Sequence, residues 1–202
     1  MSPRGQIFVL SAPSGAGKST VSNLVRGQLT GLTYSVSLTT RAPRPGETEG
    51  VDYHFVSRED FQARVAAGEM AEWAEVFGNL YGTSSRVLEE ALAAGRDLWL
   101  EIDVDGAAQI RRRFPDGVFI FLLPPDPAEL ERRLKARASE DPAQVALRLS
   151  RVGGEVAQAP AYTHLVVNDR LERAVAEVLA IVTAERLRTA RQWALVRGRW
   201  GC

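Results

Sequence analysis

The segment from Gly15 to Ser19 combines the backbone freedom and the side chains that binding a polyphosphate requires. Gly15 and Gly17 allow conformations in which backbone N–H groups point inward and phosphate oxygens approach closely. Lys18 places a positive charge near β- and γ-phosphates, and the Ser19 hydroxyl is an oxygen ligand of the kind that Mg²⁺ accepts. The chemistry predicted for this segment is therefore the binding of a nucleoside triphosphate with Mg²⁺.

The sequence around this loop has the order strand, loop, helix. The apolar run Ile7–Leu10 precedes the loop, and a helical pattern from Lys18 to Leu29 follows it. This context is typical of a phosphate-binding loop, where the positive end of the helix dipole faces the anion. The common pattern has glycine where this chain has Ala12, and alanine is acceptable there at a negative φ. The alternative is an ordinary glycine-rich turn. The residues predicted to bind ATP are Ala12, Pro13, Ser14, Gly15, Ala16, Gly17, Lys18, Ser19 and Thr20.

Two arginines follow in a loop that proline makes rigid. Arg41 and Arg44 alternate with Pro43 and Pro45, which bias their neighbours toward extended backbone. With the hydroxyl of Tyr53, such a pair suits a phosphate dianion, through charge-assisted and often bidentate hydrogen bonds. Considered alone, a loop of this kind is more often a solvated surface.

Charged side chains recur at two later places. Glu101 and Asp103 follow an apolar strand pattern with alternate spacing, so both carboxylates point to one face. They lie at the carboxyl end of the strand, where open α/β sheets bind ligands. Arg133 and Arg137 are four positions apart on one helix and share a face, and Arg148 lies on the next helix.

These residues must be positioned by alternating strands and helices. The strand patterns are Gln6–Ser11, Leu32–Leu38, Asp97–Ile102, Val118–Leu123 and His164–Val167. Helix start signals occur at Asp126 with Glu129, at Asp141, and near Asp169. Continuous apolar strands alternating with helices predict an α/β fold with a central parallel sheet covered on both faces. Residues 38–88 depart from this rhythm and are interpreted as an inserted subdomain for a second substrate, with one short helix after Ser57.

Bulk composition excludes several classes of protein. The chain has 202 residues, 45% of them hydrophobic, which is enough for one domain with a full core. Lys and Arg total 25 and balance 25 Asp and Glu, which argues against a protein that coats nucleic acid. Cys202 is the only cysteine, so no internal disulfide or Cys-based metal site is expected. The first apolar run is too short for a signal peptide and no run could span a bilayer, so we expect a cytoplasmic protein without membrane partners.

Four motifs, at their spacings, resemble the guanylate kinase family. They are Ser35–Glu47 (S-x-S-x-T-T-R-x-P-R-x-G-E), Asp52–Phe55, Glu72–Glu75 and Gly78–Thr83, and the resemblance runs from about Gly5 through Arg186. It implies a P-loop three-layer fold with an inserted GMP-binding subdomain and a helical lid. It also implies transfer of the γ-phosphoryl group of ATP to GMP or dGMP, with Mg²⁺. The implied boundaries are a core of 5–37, 89–126 and 159–188, an insert of about 38–88, a lid of about 127–158 and a helical tail of 189–202.

The resemblance also implies a role for individual residues. The GMP phosphate would be held by Arg41, Arg44, Tyr53 and Tyr81, and the guanine read by Ser37, Glu72 and Thr83. Glu101 and Asp103 also belong to the implied GMP site, with Asp103 near Mg²⁺ through water beside the Ser19 ligand. Asn168 would lie near the adenine, and the lid would contribute Arg133, Arg137 and Arg148. The implied catalytic set is Lys18, Arg41, Asp103, Arg133, Arg137 and Arg148.

The chemistry of guanine supports the role of Glu72. Guanine presents two adjacent donors, N1–H and the N2 amino group, which one carboxylate accepts together, while its O6 accepts from a hydroxyl. Adenine has an acceptor at N1 and a donor at position 6, so it would face Glu72 with the wrong polarity. The alternative for Glu72 is a solvated carboxylate on a strand.

The chain departs from the family pattern at four positions, Ala12, Glu101, Asp105 and Ala138, where the family more often has Gly, Asp, Gln and Gly. Asp105 is interpreted as a cap for the helix that follows it. Two other functions stay open at this stage: a related kinase acting on a sugar phosphate, and a non-catalytic protein-binding module. The oligomeric state and the role of the tail 189–202 are not predicted.

Overall fold

A computed structural model describes residues 4–136 and 142–200 as two β-sheets with flanking helices. The strands are β1 (Ile7–Ser11), β2 (Leu32–Tyr34), β3 (Ser37–Thr39), β4 (Tyr53–Phe55), β5 (Met70–Val76), β6 (Asn79–Ser84), β7 (Asp97–Glu101), β8 (Val118–Leu123) and β9 (His164–Val167). The helices are α1 (Lys18–Gln28), α2 (Arg58–Ala66), α3 (Ser85–Ala93), α4 (Val104–Arg113), α5 (Pro127–Ala136), α6 (Pro142–Val156), α7 (Leu171–Arg186) and α8 (Thr189–Val196).

The larger sheet is parallel, with strand order β2-β7-β1-β8-β9. All five residues of its central strand β1 are buried. Since alternate side chains point to opposite sides of a strand, this sheet is covered on both faces. Phe8 and Leu10 pack in one hydrophobic cluster with residues of α1 and α7, and Ile7 and Val9 pack in another with residues of α3 and α4. The structure thus confirms the predicted α/β class with a central parallel sheet between two helical layers.

The smaller sheet has the order β4-β3-β6-β5 and lies between residues 37 and 84. Here α2 covers a small core around Phe61, and the predicted helix after Ser57 is confirmed because the Ser57 hydroxyl accepts from Asp60 N at 3.0 Å. The prediction of one strand over Leu32–Leu38 was wrong. The chain leaves the larger sheet after Tyr34 and enters the smaller one at Ser37, so the apolar run belongs to two sheets.

Helix caps were predicted with mixed success. The cap at Asp126 is confirmed, since its carboxylate accepts from Glu129 N at 2.8 Å. The helix predicted to start near Asp169 is confirmed, since α7 begins at Leu171, but its N-cap residue is Arg170 and not Asp169. Among the described residues, the Asp169 carboxylate accepts from the adjacent Arg170 N at 2.7 Å and from Arg173 Nη1 at 3.4 Å. Asp141, the other predicted cap, lies outside the described residues.

Helices α7 and α8 are each attached to the larger sheet by an ion pair. Buried Asp97, at the start of β7, accepts from Arg186 Nε at 2.9 Å and from Arg191 Nη2 at 2.6 Å. Its Oδ1 also accepts from Gln6 N at 2.8 Å. Among the described residues, no helix has both the length and the apolar character needed to cross a bilayer.

Candidate functional site

The phosphate loop connects β1 to α1 and depends on two left-handed glycines. Gly15 has φ 88° and Gly17, the N-terminal cap of α1, has φ 92°. A Cβ atom at Gly17 would lie 2.6 Å from Nδ2 of Asn168, so this position is restricted by space as well as by conformation. Ala12, where the common pattern has glycine, is outside the positive-φ region. The alanine therefore meets the condition under which it is acceptable.

Lys18 and Ser19 reach the carboxyl end of β7. Lys18 Nζ donates to the carbonyl of Ile102 at 3.0 Å, and the Ser19 hydroxyl donates to Glu101 Oε1 at 2.6 Å. The Asp103 carboxylate accepts from Gly106 N at 2.8 Å and caps α4. The prediction that Asp105 caps this helix was wrong, because the cap lies two residues earlier.

Helices α5 and α6 bring arginines to the phosphate loop from two sides. Arg133, which does not line the cleft, donates to the carbonyl of Asn168 at 3.1 Å and to that of Ala16 at 3.5 Å. Asn168 also donates to the Ala16 carbonyl, at 2.8 Å, and so holds the loop on the same side as Arg133. Arg148 lines the cleft and donates to the Ser14 hydroxyl at 2.9 Å. Arg137, the third predicted arginine, lies outside the described residues.

The loop that carries Arg41 and Arg44, which we call the arginine loop, is held by the carboxylate of Glu47, a residue to which the sequence analysis gave no role. Glu47 accepts from both terminal nitrogens of Arg41, at 2.8 and 2.9 Å, and from Arg44 N at 2.7 Å. Arg41 Nε donates to the hydroxyl of Tyr81 at 3.2 Å. The hydrogen bond from Arg41 lowers the pKa of Glu47, which keeps this carboxylate ionised. The guanidinium group is therefore held at three nitrogens, and Arg44 is exposed toward the cleft.

Glu72 is a buried carboxylate on β5, with 3% of its surface exposed. Burial is the main cause that raises its pKa to about 7, the Thr83 hydroxyl lowers that value by donating to Oε1 at 2.6 Å, and the negative charge of Asp103 raises it further. The helix α4 packs against this carboxylate at Gly106, where a Cβ atom would lie 2.3 Å from Glu72 Oε2. The position of Glu72 is therefore set by a hydroxyl on one side and by a glycine on the other.

Most of the predicted residues line two adjoining cavities of about 500 and about 160 Å³. The larger is lined by the phosphate loop and by Arg41, Arg44, Val76, Phe77, Asn79, Tyr81, Asp103, Leu147, Arg148 and Glu155. The smaller is lined by Lys18, Ser37, Tyr53, Glu72, Val76, Tyr81, Gly82, Glu101, Ile102 and Asp103. Since Lys18, Tyr81 and Asp103 line both cavities, the two form one cleft.

Five predicted residues lie next to the cleft but do not line it: Ala16, Thr20, Thr83, Arg133 and Asn168. Thr83 contacts Glu72, Arg133 and Asn168 contact the back of the phosphate loop, and Thr20 is exposed on α1.

Sequence reasoning missed several residues that the structure brings to the site. Glu47 stood within a recognised motif, and its spacing from Arg41 was the available signal. Glu155 on α6 accepts from Ser14 N at 3.3 Å, and burial raises its pKa. Phe77 and Gly106 were also missed, because their importance depends on tertiary contacts that no local pattern records.

The fold and this cleft define a P-loop phosphotransferase with a separate pocket for its acceptor. The sequence profile of guanylate kinase matches residues 4–185. Together with the relatives described below, this match shows that the chain belongs to the guanylate kinase family.

Two curated relatives named guanylate kinase illustrate the similarity. One, from Geobacter sulfurreducens, is 49% identical over 191 residues, which are 95% of this chain and 94% of the relative. Another, from Thermus thermophilus, is 49% identical over 188 residues, 93% of this chain and 85% of the relative. The crystal structure of guanylate kinase from Anaplasma phagocytophilum aligns with a TM-score of 0.80 at 35% identity, covering 100% of this chain and 98% of that one.

Proposed function

We propose that the protein transfers the γ-phosphoryl group of ATP to GMP or dGMP, giving ADP and either GDP or dGDP. The observation that carries this proposal is the buried carboxylate of Glu72, which faces the same cleft as the phosphate loop. An ionised Glu72 accepts the two adjacent donors of guanine and rejects adenine, which offers an acceptor at the equivalent place. Ser37 lines the same pocket and supplies a hydroxyl for O6.

The acceptor phosphate binds between the arginine loop and two tyrosines. Arg41 and Arg44 neutralise its charge, and the hydroxyls of Tyr53 and Tyr81 donate hydrogen bonds to it. Burial raises the pKa of Tyr53 to about 12, so this hydroxyl keeps its proton at neutral pH. The phosphate oxygen is already anionic and attacks without a general base. These residues therefore act by holding and orienting the acceptor.

The donor phosphates bind to the backbone of the phosphate loop. Lys18 lies at the edge shared by the two cavities, where it spreads the charge that develops on the transferred group. Arg148 reaches this region from α6, and Arg133 supports the loop from behind. We include Arg137 in this set from its family motif alone. Closure of a lid of about residues 127–158 over an insert of about 38–88 would exclude water from the transfer.

Mg²⁺ fits the chemistry of the side chains at the carboxyl end of β7. Ser19, Glu101 and Asp103 present oxygen atoms, which are the ligands that Mg²⁺ prefers, and the Ser19 hydroxyl already contacts Glu101. In the described part of the chain, no group of three or more His, Cys, Asp or Glu side chains is arranged to hold a metal alone. The ion would therefore bind chiefly to ATP phosphates and water, and it would neutralise charge on the donor.

The test is an assay of ADP production against a panel of nucleoside and sugar monophosphates. We expect GMP and dGMP to be accepted, with AMP disfavoured by roughly 10⁴-fold in kcat/KM, since a site built around polar partners rejects a ligand that leaves them unpaired. A preference for a sugar phosphate would support the related-kinase alternative. Failure to bind ATP with Mg²⁺ would support the protein-binding module.

A further inference from the structure

The hairpin between β5 and β6 turns through Phe77 and Gly78, a pair that we call the hairpin tip. Val76 pairs with Asn79, so the loop has two residues, and both have positive φ, 50° and 79°. Two-residue hairpins of this kind favour Asn or Gly at the first position. A bulky residue with positive φ is a conformational outlier, and such outliers persist where contacts with the surrounding structure hold them in place.

The backbone of this turn has partners that do not depend on the aromatic ring. Asn79 Nδ2 donates to the carbonyl of Phe77 at 3.2 Å, and Arg58 Nη1 donates to the carbonyl of Gly78 at 3.0 Å. An asparagine at position 77 would therefore keep these hydrogen bonds and relieve the conformational strain. The ring must be explained by contacts outside the hairpin.

Those contacts are made by two arginines of α6. The guanidinium carbon of Arg148 lies 4.6 Å from the centroid of the Phe77 ring, and that of Arg151 lies 5.0 Å from it. Both distances are within the range of attractive cation–π contacts. Phe77 is half-buried although it lies at the end of a hairpin. The ring thus joins the acceptor side of the cleft to α6.

One of these arginines continues the connection to the donor side. Arg148 Nη1 donates to the Ser14 hydroxyl at 2.9 Å, and Glu155 of the same helix accepts from Ser14 N. The strands that end at the hairpin tip carry Glu72 and Tyr81. A continuous set of contacts therefore runs from the guanine pocket through the Phe77 ring to the phosphate loop.

From this geometry we infer that Phe77 is a positioning residue for phosphoryl transfer, which rests on the function proposed above. Its ring holds α6 against the acceptor side and sets Arg148 on the phosphate loop. Phe77 touches neither reacting atom, so its effect passes through Arg148. Without the ring, α6 spends less time in this position, and the transfer step slows more than GMP binding weakens.

The decisive variant is Phe77→Asn, because it separates a structural role from a positioning one. We expect an unchanged or higher Tm, since asparagine suits the turn, together with a fall in kcat of about tenfold from the loss of two cation–π contacts. The KM for GMP should change less than threefold. Phe77→Tyr keeps the ring and should restore kcat, whereas Phe77→Leu keeps apolar bulk and should not. A normal kcat in Phe77→Asn would overturn the inference.

Hydrogen–deuterium exchange tests the contact without turnover. In the ligand-free protein, Phe77→Asn should speed exchange of the amides of α6 and leave those of β1 and β8 unchanged. Equal exchange in α6 would contradict the inference even if the enzyme were inactive. If the unsubstituted protein showed no phosphotransfer activity but the Phe77→Asn variant showed faster exchange in α6, only the proposed function would be contradicted.

A double-mutant cycle with Arg151→Gln adds a pairwise test. Arg151 is exposed, so its replacement removes one cation–π partner with little effect on packing. If the two residues act through the same contact, the double variant should lose less activity than the product of the two single losses. Independent, multiplying losses would show that Phe77 acts in some other way.

Discussion

The two halves of the cleft are built by different means. The donor half is one continuous loop with two left-handed glycines, and we propose that its backbone N–H groups do most of the binding. The acceptor half is a set of side chains from β3, β4, β5, β6 and the arginine loop, brought together by a small sheet. A backbone site tolerates changes in side chains that point away from it, whereas a side-chain site depends on each member and on the residue that orients it.

The largest effect should come from Lys18, the side chain that places a positive charge at the edge shared by the two cavities. We expect Lys18→Met to lower kcat by about 10²- to 10³-fold, because it removes a preorganised charge from the transferring phosphoryl group. Steady-state kinetics with GMP and ATP will measure this loss. Lys135→Met is the matched control, since Lys135 is exposed and pairs with Glu131 on α5. Near-normal turnover by Lys18→Met would show that the donor half does not depend on the charge of Lys18.

On the acceptor side, Glu72→Gln should lower kcat/KM for GMP by about 10²-fold, since the guanine donors lose a buried charged acceptor. The KM for ATP should stay within twofold, because the donor half does not contain this residue. Glu75→Gln, on the exposed side of the same strand, is the control. Equal losses for both substrates would mean that the acid supports the whole cleft and does not read the base.

A smaller effect is expected from the carboxylate that orients Arg41. Glu47→Gln weakens the two ion-pair hydrogen bonds and should raise the KM for GMP by about tenfold, with kcat changed less, since each charge-assisted bond contributes about 1.5–3 kcal/mol at most. Glu49→Gln provides a control in the same subdomain, because Glu49 is exposed and bonded to His54 and Phe55 N. Isothermal titration calorimetry should show that Glu47→Gln binds GMP more weakly than Glu49→Gln does.

The smallest effect is a dependence on pH that we expect from Glu72 in the acceptor half. Guanine needs the ionised form of Glu72, and its raised pKa of about 7 leaves much of it protonated at pH 6. The kcat/KM for GMP should therefore rise by about fourfold from pH 6.5 to pH 8, beyond the part due to the GMP phosphate itself, whose pKa is about 6. Glu72→Gln should remove the additional part.

The free energy of unfolding should fall with rising pH, whereas kcat/KM for GMP should rise. The folded-state pKa of Glu72 lies above its usual 4.5, so folding favours the protonated form. The free energy of unfolding contributed by this group is highest below pH 4.5 and decreases as the pH rises toward 7. In Glu72→Gln this decrease should be absent, as urea titrations at pH 5 and pH 7.5 will show. An unaltered pH profile in the variant would mean that Glu72 is not the group responsible.

The same contrast explains what the sequence could reveal. The phosphate loop and the parallel sheet were predicted from local patterns, because the strand, the glycines and the helix are neighbours along the chain. The guanine pocket has members as far apart as Ser37 and Asp103. The end of a strand pattern pointed to Asp103, whereas only the family motifs pointed to Ser37 and Glu72. Contacts such as Glu47 with Arg41, or Phe77 with α6, arise on folding and left no periodic signal.

Gly106 lies against the carboxylate that we propose selects the base. The hydrogen atom in place of a methyl group leaves room for one oxygen of Glu72, and no larger residue fits without displacing it. An added methyl group there, on a helix that carries no predicted catalytic side chain, would push the acid out of its seat and erase the distinction between the two purines. Under the proposed function, the space left by this glycine is part of what selects guanine over adenine.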